Sequence, residues 1–374
     1  MKPLKNLIVV SERFPSPTEP VFTFVDELVC ALADDGVNVT VVSPQSLTRI
    51  LIRSGTKMPR KWTRETPRGN AFTVYQPWYL SVGVFSKQFN NNAYRRAVKR
   101  ALSRLPKPDA YYAHFFHSGI AAGLAIGNAP LFIACGESQV KAVYHNDIEK
   151  IRPALRGVIS VSSKNKADCI RLYGLPDDEI TVLPNGVDEN LFKKSDDRDA
   201  LRKRLNLKKE DFVIAFVGWF NERKGVKRLE EAISSLPQNV RALYIGQGDL
   251  NPTDSHTAFC GRVEHSELPG FLNAADVFAL PTQAEGCCNA IVEAMACGLP
   301  IISSQGQFND DLLDDDRSIR IDPNDVGAIR NAIKTLMNDP HRVQKMGENA
   351  SRFAQGLSIQ RRAERIRDYI QQRL

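Results

Sequence analysis

The sequence predicts an α/β protein that contains two doubly wound parallel sheets, each in its own domain. Its 374 residues exceed what one compact core usually holds and suit two domains of ordinary size. Short apolar runs that are typical of buried parallel strands alternate with segments of helical periodicity along most of the chain. Several of these runs lead into loops with glycine or polar residues, and ligands are expected at the carboxyl ends of such strands.

The first domain is predicted to open with a strand at 6–10, a helix at 21–35 and a second strand at 37–42. This succession is how a doubly wound sheet begins. Residues 45–92 are rich in basic and aromatic side chains and are expected to form an irregular insertion. An amphipathic helix is predicted to follow, over about 94–105.

Residues 49–107 carry the strongest charge bias of the chain, with 14 basic side chains against one acidic side chain, Glu65. Five of the basic residues share one face of the predicted amphipathic helix: Arg95, Arg96, Lys99, Arg100 and Arg104. Such a surface attracts anions, and a basic amphipathic face fits docking on an anionic membrane. The alternative is a domain helix whose basic face is only solvated. We expect an anionic membrane surface, and not nucleic acid, as the partner of this segment.

The rest of the first domain continues the alternation of strands and helices. Strands are predicted at 109–114 and 131–138, with a loop at 115–119 before the helix that follows the first of them. A third strand at 157–162 with its helix makes a further βα unit. The boundary with the second domain is placed near residue 190.

Composition excludes several classes of protein. The seven cysteines contain no Cys-x-x-Cys pair and no zinc spacing with histidine, so we expect reduced core residues and no metal site. No apolar run approaches the roughly 20 residues that span a bilayer. Glu12 and Arg13 follow the apolar residues 7–10, so no signal peptide is expected. The prediction is a cytoplasmic protein, peripheral on the inner face of the cytoplasmic membrane if residues 49–107 bind lipid.

The second domain is predicted to begin with a strand at 212–218 that ends at Gly218. Arg223, Lys224 and Gly225 then lead into a helix. A strand-end glycine lets the backbone approach a ligand, and two cations and a helix start favour an anion, so this is a candidate diphosphate site. The alternative is an exposed helix start with routine charges.

A second constellation follows the predicted strand at 275–282. A loop carries Glu285 and Gly286, a helix starts near Cys288 or Asn289, and Glu293 lies one turn inside that helix. A helix start offers unpaired N–H groups and a positive dipole end to a phosphate. The two flanking carboxylates can accept hydrogen bonds from sugar hydroxyls, so the ligand is expected to carry both phosphate and hydroxyl groups.

These residues resemble the Glu-x7-Glu signature of the retaining, nucleotide-sugar-dependent glycosyltransferases of family 4, which have the GT-B fold. The resemblance implies two Rossmann-like doubly wound domains that face a central cleft. The implied divisions are an acceptor-side domain at 1–190, a nucleotide-sugar donor domain at 191–356, and a helix at 357–374 that crosses back to the first domain.

The resemblance also implies a role for each matching residue. Glu285 would contact the donor sugar, Glu293 the ribose hydroxyls, and Lys224 the donor phosphates, with Arg223 as a second cation. The loop backbone around the diphosphate would come from Gly286, Cys287, Cys288 and Asn289, and the strand-end glycine would be Gly218. The base pocket would be lined by Arg262 and Val263, and the cleft histidine would be His114. The chain differs from the family's frequent pattern at three places. Cys135 stands where many members have His, Trp219 stands where many have Arg, and 16–20 lacks the Gly-Gly pair that many carry in the first loop.

The function implied is transfer of a sugar from a UDP- or GDP-sugar to a glycan or lipid-linked acceptor, with retention, in surface polysaccharide biosynthesis. The nucleotide sugar would be a co-substrate, and neither a cofactor nor a metal is expected. Two alternatives remain open at this stage: a nucleotide-sugar epimerase on the same fold, and a non-enzymatic basic adaptor that binds a membrane or nucleic acid.

Overall fold

The computed structural model describes residues 3–16, 22–52, 57–82 and 85–374 and divides the chain into two compact units. The first unit holds residues 1–183 and 359–374, and the second holds residues 184–358. The division falls earlier than the position near 190 expected from the sequence. The reason lies in the segment after Leu183, because the Val187 N–H donates to the Leu357 carbonyl (2.9 Å) and so ties this segment to the second unit.

The first unit is built on an eight-stranded sheet. Its strands, with two short ones outside the main sheet, are β1 Asn6–Val10, β2 Asn38–Val42, β3 Gln45–Ser46, β4 Lys61–Glu65, β5 Ala71–Tyr75, β6 Trp78–Tyr79, β7 Ala110–His114, β8 Leu131–Cys135, β9 Leu155–Ser160 and β10 Ile180–Val182. The helices are α1 Thr23–Asp34, α2 Leu47–Ile52, α3 Lys87–Leu102, α4 Phe115–Ile126, α5 His145–Ile151 and α6 Ser163–Tyr173. The strand order is β10-β9-β8-β7-β1-β2-β5-β4, and only β4 runs antiparallel to its neighbour.

Both faces of this sheet are covered, which explains why its central strands are apolar throughout. Alternate residues of β1 point to opposite sides: Leu7 and Val9 join one buried cluster, and Ile8 and Val10 join another. Tyr94 of α3 lies in the second cluster and is fully buried, as the amphipathic pattern of this helix predicts.

Two predictions about the first unit are wrong. Residues 45–92 are not irregular throughout, because β4 and β5 pair and extend the sheet next to β2. The expected loop at 115–119 is helical, since α4 begins at Phe115, directly after β7. The Glu137 carboxylate accepts a hydrogen bond from the Phe116 N–H (2.8 Å) and satisfies one of the free amides at that helix start. The residues around Phe116 do not indicate this hydrogen bond, because Glu137 lies 21 residues further along the chain.

The second unit contains a six-stranded, wholly parallel sheet. Its elements are α7 Arg198–Arg204, β11 Phe212–Phe220, α8 Val226–Ser234, β12 Val240–Gly248, β13 Thr257–Gly261, α9 Leu268–Ala274, β14 Val277–Leu280, α10 Asn289–Ala296, β15 Ile301–Ser304, β16 Ser318–Ile321, α11 Val326–Met337 and α12 Pro340–Ala354. The strand order is β13-β12-β11-β14-β15-β16. The order reverses between β11 and β14, and such a switch point is where ligands bind in doubly wound sheets.

The last helix, α13 Ile359–Gln371, belongs to the first unit. Ile366 and Ile370 are fully buried in the cluster that contains Leu7 and Val9. The Tyr369 hydroxyl donates to the Glu179 carbonyl (2.6 Å). No helix in the described parts of the chain is both long enough and apolar enough to cross a membrane.

Candidate active site

The switch point between β11 and β14 brings the two predicted constellations together. The segment after β11 carries Arg223 and Lys224, and the segment after β14 carries Glu285. Gly225, which has φ of 76°, starts α8 against the beginning of the second segment, and a Cβ at this position would lie 2.3 Å from the Pro281 carbonyl oxygen. A side chain is therefore excluded where the two segments meet.

Gly218 lies inside a strand rather than at its end, which corrects the prediction. β11 continues to Phe220, and Gly218 pairs with Gly246 of β12. The Lys224 side chain passes over Gly218, because a Cβ built at this glycine would lie 3.5 Å from Lys224 Cδ. Gly218 and the aliphatic part of Lys224 are therefore packed at van der Waals distance.

Three donors converge on one oxygen of Glu285. Lys224 Nζ lies 2.7 Å from Glu285 Oε1, Arg223 Nη1 lies 3.0 Å from it, and the Thr282 hydroxyl donates to it at 2.7 Å. Lys224 and Glu285 are both buried, with 9% and 8% exposure. A paired buried carboxylate of this kind has a fixed orientation, since its hydrogen bonds define the position of the whole group.

The charges in this cluster follow from their neighbours. Burial lowers the pKa of Lys224, but its neighbours, among them the hydrogen-bonded Glu285 carboxylate, outweigh burial and hold that pKa above its usual value. Lys224 is therefore a cation at neutral pH. Burial raises the pKa of Cys288 to about 11, so this thiol is neutral.

Buried polar side chains hold the loop that carries Glu285. The Ser303 hydroxyl donates to the Leu280 carbonyl at 2.8 Å, and the Ser304 hydroxyl donates to the Thr282 carbonyl. Asn309 in turn donates to the Ser304 carbonyl at 2.9 Å. The end of β15 and the segment after it therefore fix the end of β14 and the start of the segment that carries Glu285.

Helix α10 begins at Asn289, as predicted, and Cys288 at its N-cap makes no side-chain hydrogen bond to the first turn. The free amides of that turn are left for another acceptor. Asn185 was not predicted as a site residue, yet its Nδ2 donates to Asn289 Oδ1 (2.7 Å) and to the Cys287 carbonyl (3.2 Å). In the sequence, only its position between Pro184 and Gly186 could have marked Asn185 as a site residue.

Glu293 lies one turn inside α10 and contacts a histidine that the sequence did not reveal. His265 Nε2 is 3.3 Å from Glu293 Oε1, and the His265 ring lies against Phe192 with 5.2 Å between ring centroids. Of the predicted base-pocket residues in the same loop, Arg262 is exposed and Val263 packs against the core. His265 lies two positions beyond Val263, so the loop was identified but not this residue.

Two family models match the chain. The model described as "Glycosyl transferases group 1" matches residues 197–353, and the model "Glycosyltransferase Family 4" matches residues 21–191. Together they match both units. The chain is a member of the group 1, family 4-like glycosyltransferases.

Relatives of this glycosyltransferase include TuaC of Bacillus subtilis, which is described as a glycosyltransferase of teichuronic acid biosynthesis. The two are 26% identical over 347 residues, which is 88% of each chain. An Escherichia coli UDP-Gal:alpha-D-GlcNAc-diphosphoundecaprenol alpha-1,3-galactosyltransferase is 28% identical over 56% of this chain and 59% of its own. A GDP-mannose-dependent alpha-(1-6)-phosphatidylinositol monomannoside mannosyltransferase of Mycolicibacterium smegmatis is 27% identical over 76% of this chain and 85% of its own.

Solved structures show the same fold. Sucrose-phosphate synthase of Thermosynechococcus elongatus superimposes with a TM-score of 0.79 at 18% identity and covers 98% of both chains. The Anabaena protein HepE in complex with UDP-glucose has a TM-score of 0.74 at 18% identity and covers 99% of this chain and 100% of its own. These similarities establish the predicted GT-B fold with two Rossmann-like units.

In this glycosyltransferase His114 is a buried residue with aromatic neighbours. It ends β7 as predicted, but it is only 5% exposed and lies among aromatic rings, with Phe115 at 4.8 Å and Phe24 at 5.2 Å between centroids. Burial, and secondarily the charge of Arg362, lowers the pKa of His114 to about 3. The ring is therefore neutral at pH 7, and its role as a cleft histidine stays a prediction.

The structure also shows where the residues that differ from the family's frequent pattern lie. Cys135 is fully buried, with its Sγ 3.6 Å from Cys169 Sγ, so it is a core residue of the first unit. Trp219 is 57% exposed at the end of β11. Within 16–20, Ser16 belongs to the described residues, and 17–20 lie outside them.

A polar and aromatic cavity of about 570 Å³ lies at the carboxyl end of β1 in the first unit. We call it the acceptor-side cavity. Glu12 and Arg13 line it directly after β1, together with Arg49, Tyr94 and His117. The His117 ring stacks on Tyr94 at 4.8 Å. Another cavity, of about 630 Å³, lies in the second unit at the amino ends of β11 and β14, away from Lys224 and Glu285.

Proposed function

We propose that this glycosyltransferase uses a nucleoside-diphosphate sugar, either a UDP- or a GDP-sugar, and that its second unit holds this donor. One observation carries the proposal: Lys224, Arg223 and Glu285 meet at the switch point of the parallel sheet, beside the free start of α10. Two cations and unpaired helix amides suit a diphosphate, and a fixed carboxylate suits sugar hydroxyls.

Three groups of residues would each bind a different part of the donor. The amides at Gly286 to Asn289 and the Lys224 ammonium would bind the diphosphate, and Glu285 would orient the sugar. Glu293 would accept hydrogen bonds from the two ribose hydroxyls. Because His265 contacts Glu293, the histidine would position this carboxylate.

Departure of the nucleoside diphosphate builds negative charge on its terminal oxygen. Lys224, aided by Arg223, would stabilise this charge in the place where other enzymes use a metal ion. We therefore propose that the reaction needs no metal. Retention at the anomeric carbon is proposed from the family resemblance, in which the acceptor attacks from the face that the leaving group vacates, so no protein nucleophile is assigned.

The acceptor is proposed to be a glycan or a lipid-linked saccharide of surface polysaccharide biosynthesis. Polar and aromatic side chains line the acceptor-side cavity, and such surfaces suit saccharides because hydroxyls need hydrogen-bond partners and ring faces need apolar contact. The names of the B. subtilis and E. coli relatives, which refer to teichuronic acid and to a diphosphoundecaprenol, support the same class.

A membrane contact through residues 49–107 is proposed with one revision. Arg95 belongs to the predicted basic face, but its Nη2 pairs with Asp147 at 2.6 Å, so its charge is already compensated. Arg96, Lys99, Arg100 and Arg104 are exposed. Several large apolar side chains near the start of α3 are exposed as well: Leu51, Ile52, Leu80, Val82, Phe85 and Phe89. Basic and apolar side chains exposed together are typical of a membrane-facing surface.

The proposed function is tested by a panel of nucleotide sugars scored by thermal shift. We expect one nucleotide class to raise the melting temperature of the wild-type protein and to do so much less with Glu293→Ala. A panel in which no nucleotide sugar stabilises the protein would overturn the proposal. Incubation of the selected donor without acceptor should leave its sugar unchanged, whereas an epimerase would convert it.

A further inference from the structure

A second cavity of the first unit, of about 370 Å³, is lined by cations and aromatic rings and by no carboxylate of the described residues. We call it the basic cavity. The cations come from the start of β4 with the residue before it and from the end of α3 with the turn after it, and β5 and β6 supply the rings. The side chains that matter here are Arg60, Lys61, Arg100, Arg104, Tyr75 and Trp78.

The charges around the basic cavity are not compensated by any carboxylate of the residues that the structure describes. Other basic residues of the same two elements are paired: Arg64 lies 2.8 Å from Asp26, and Arg95 lies 2.6 Å from Asp147. Within the described chain none of the four cations that line the cavity has such a carboxylate partner. Like charges around one cavity repel each other, and an anion between them removes that repulsion.

Aromatic contacts hold part of this cluster in place. The Arg60 guanidinium lies 4.3 Å from the centre of the Trp78 ring, and Lys57 Nζ lies 3.8 Å from it. Lys61 Nζ is 5.4 Å from the centre of the Tyr75 ring. Cation–π contacts orient these cations before a ligand arrives. Guanidinium groups then match phosphate oxygens, since their paired N–H groups can bind two oxygens at once.

The surroundings of the cavity indicate where the phosphate comes from. Leu80 follows Trp78 by two residues and is 64% exposed, and Phe85, just before α3, is 91% exposed. Arg100 and Arg104 lie at the other end of that helix, which is roughly 24 Å long for its 16 residues. Exposed apolar side chains before α3, and Phe89 in its first turn, lie on the segment whose other end borders the basic cavity, and this favours a phosphate that is held in a lipid surface over one in solution.

We propose that the basic cavity binds the phosphate of a membrane-lipid headgroup. The inference rests on the membrane contact proposed above and adds a defined binding site to it, with Arg60, Arg100 and Arg104 as the phosphate-binding residues. A diffuse basic surface would respond to the total charge of a bilayer, whereas a defined cavity distinguishes one headgroup from another at equal charge.

The test uses vesicles of phosphatidylcholine with either phosphatidic acid or phosphatidylglycerol, matched in surface charge, and sedimentation at low salt. The cavity variant is Arg60→Ser/Arg100→Ser/Arg104→Ser. The control variant, Arg68→Ser/Arg96→Ser/Lys99→Ser, loses the same charge from exposed residues of the same segment that do not line the cavity. Wild-type protein should bind phosphatidic acid vesicles about tenfold more tightly, because the exposed phosphomonoester accepts paired guanidinium hydrogen bonds.

The cavity variant should lose this preference, and the control variant should bind both vesicles more weakly while keeping it. Equal losses in the two variants would overturn the proposal in favour of diffuse charge. Saturable binding of inorganic phosphate or pyrophosphate at micromolar concentration, followed by Trp78 fluorescence without vesicles, would assign the cavity to a soluble anion instead. Nucleotide-induced thermal shifts should be the same in all three proteins, so failure here is distinguishable from failure of the proposed function.

Discussion

Glu285 is the residue on which the proposed donor site is centred, because one of its oxygens accepts hydrogen bonds from Lys224, Arg223 and Thr282. Without a ligand, the Lys224 ammonium is compensated by this carboxylate, so a buried cation can be kept in place. An incoming diphosphate adds a second anion within reach of the same ammonium. The two cations would thus offset two of the three negative charges of Glu285 and the diphosphate, and the positive end of α10 would face the remainder.

Lys224→Ala should reduce turnover more than it weakens donor binding. Its charge is needed most when the diphosphate departs, and loss of one such group lowers turnover by about 100-fold or more. Steady-state kinetics with the selected donor measures both effects. Lys227→Ala is the control, since Lys227 pairs with Glu230 on α8 away from the cluster. Near-normal turnover of Lys224→Ala would shift the role to Arg223.

Because His114 is buried and neutral, we expect the stability of the folded protein to decrease at acidic pH. Its pKa is about 3 in the folded protein and about 6.5 in the unfolded chain, so below pH 6.5 the unfolded chain binds a proton that the folded protein does not. Stability should therefore fall as the pH drops from 6.5 toward 3, by about 2–3 kcal/mol at pH 4.5.

His114→Phe should remove that part of the acid sensitivity, and exposed His145→Phe should retain it. Urea unfolding of the first-unit transition at pH 7 and pH 4.5 gives the comparison. Equal pH dependence in wild type and His114→Phe would contradict the buried, neutral histidine.

At the scale of elements, the predictable features are those encoded over a few adjacent residues. The start of α10 and the position of Glu293 were predicted because an apolar strand, a glycine-containing loop and a periodic helix follow one another directly. Asn185 and His265 were missed because each reaches α10 or its loop from a distant part of the chain. The same holds for β4 and β5, whose pairing with the sheet depends on distant strands.

Asn185→Ala should loosen the start of α10. Its amide fixes the Cys287 carbonyl and the Asn289 side chain, so its removal should leave the backbone that we propose binds the diphosphate less ordered. We expect donor affinity to fall by about fivefold, equivalent to about 1 kcal/mol, with the first unit unaffected. Calorimetric titration of the donor measures this, with Asn190→Ala in a nearby exposed turn as the control. Unchanged affinity would remove Asn185 from the support of the site.

At the scale of the whole molecule, charge is divided unequally along the chain. Residues 1–187 hold 24 basic and 15 acidic side chains, and the remaining residues hold 26 and 28. The excess of basic residues falls in the unit with the acceptor-side and basic cavities, and the candidate donor site lies in the other unit. Donor binding and membrane contact should therefore respond to different substitutions.

The most direct test of the central claim is a calorimetric titration of UDP and GDP in the presence of a chelator. One of the two nucleotides should bind wild-type protein, and Glu293→Ala should weaken it by about 1–3 kcal/mol through loss of charge-assisted hydrogen bonds to the ribose. Arg96→Ser/Lys99→Ser, in the first unit, should bind it as wild type does. Unchanged affinity in a folded Glu293→Ala variant, or binding that disappears with the chelator, would contradict a metal-free donor site built on Lys224, Glu285 and Glu293.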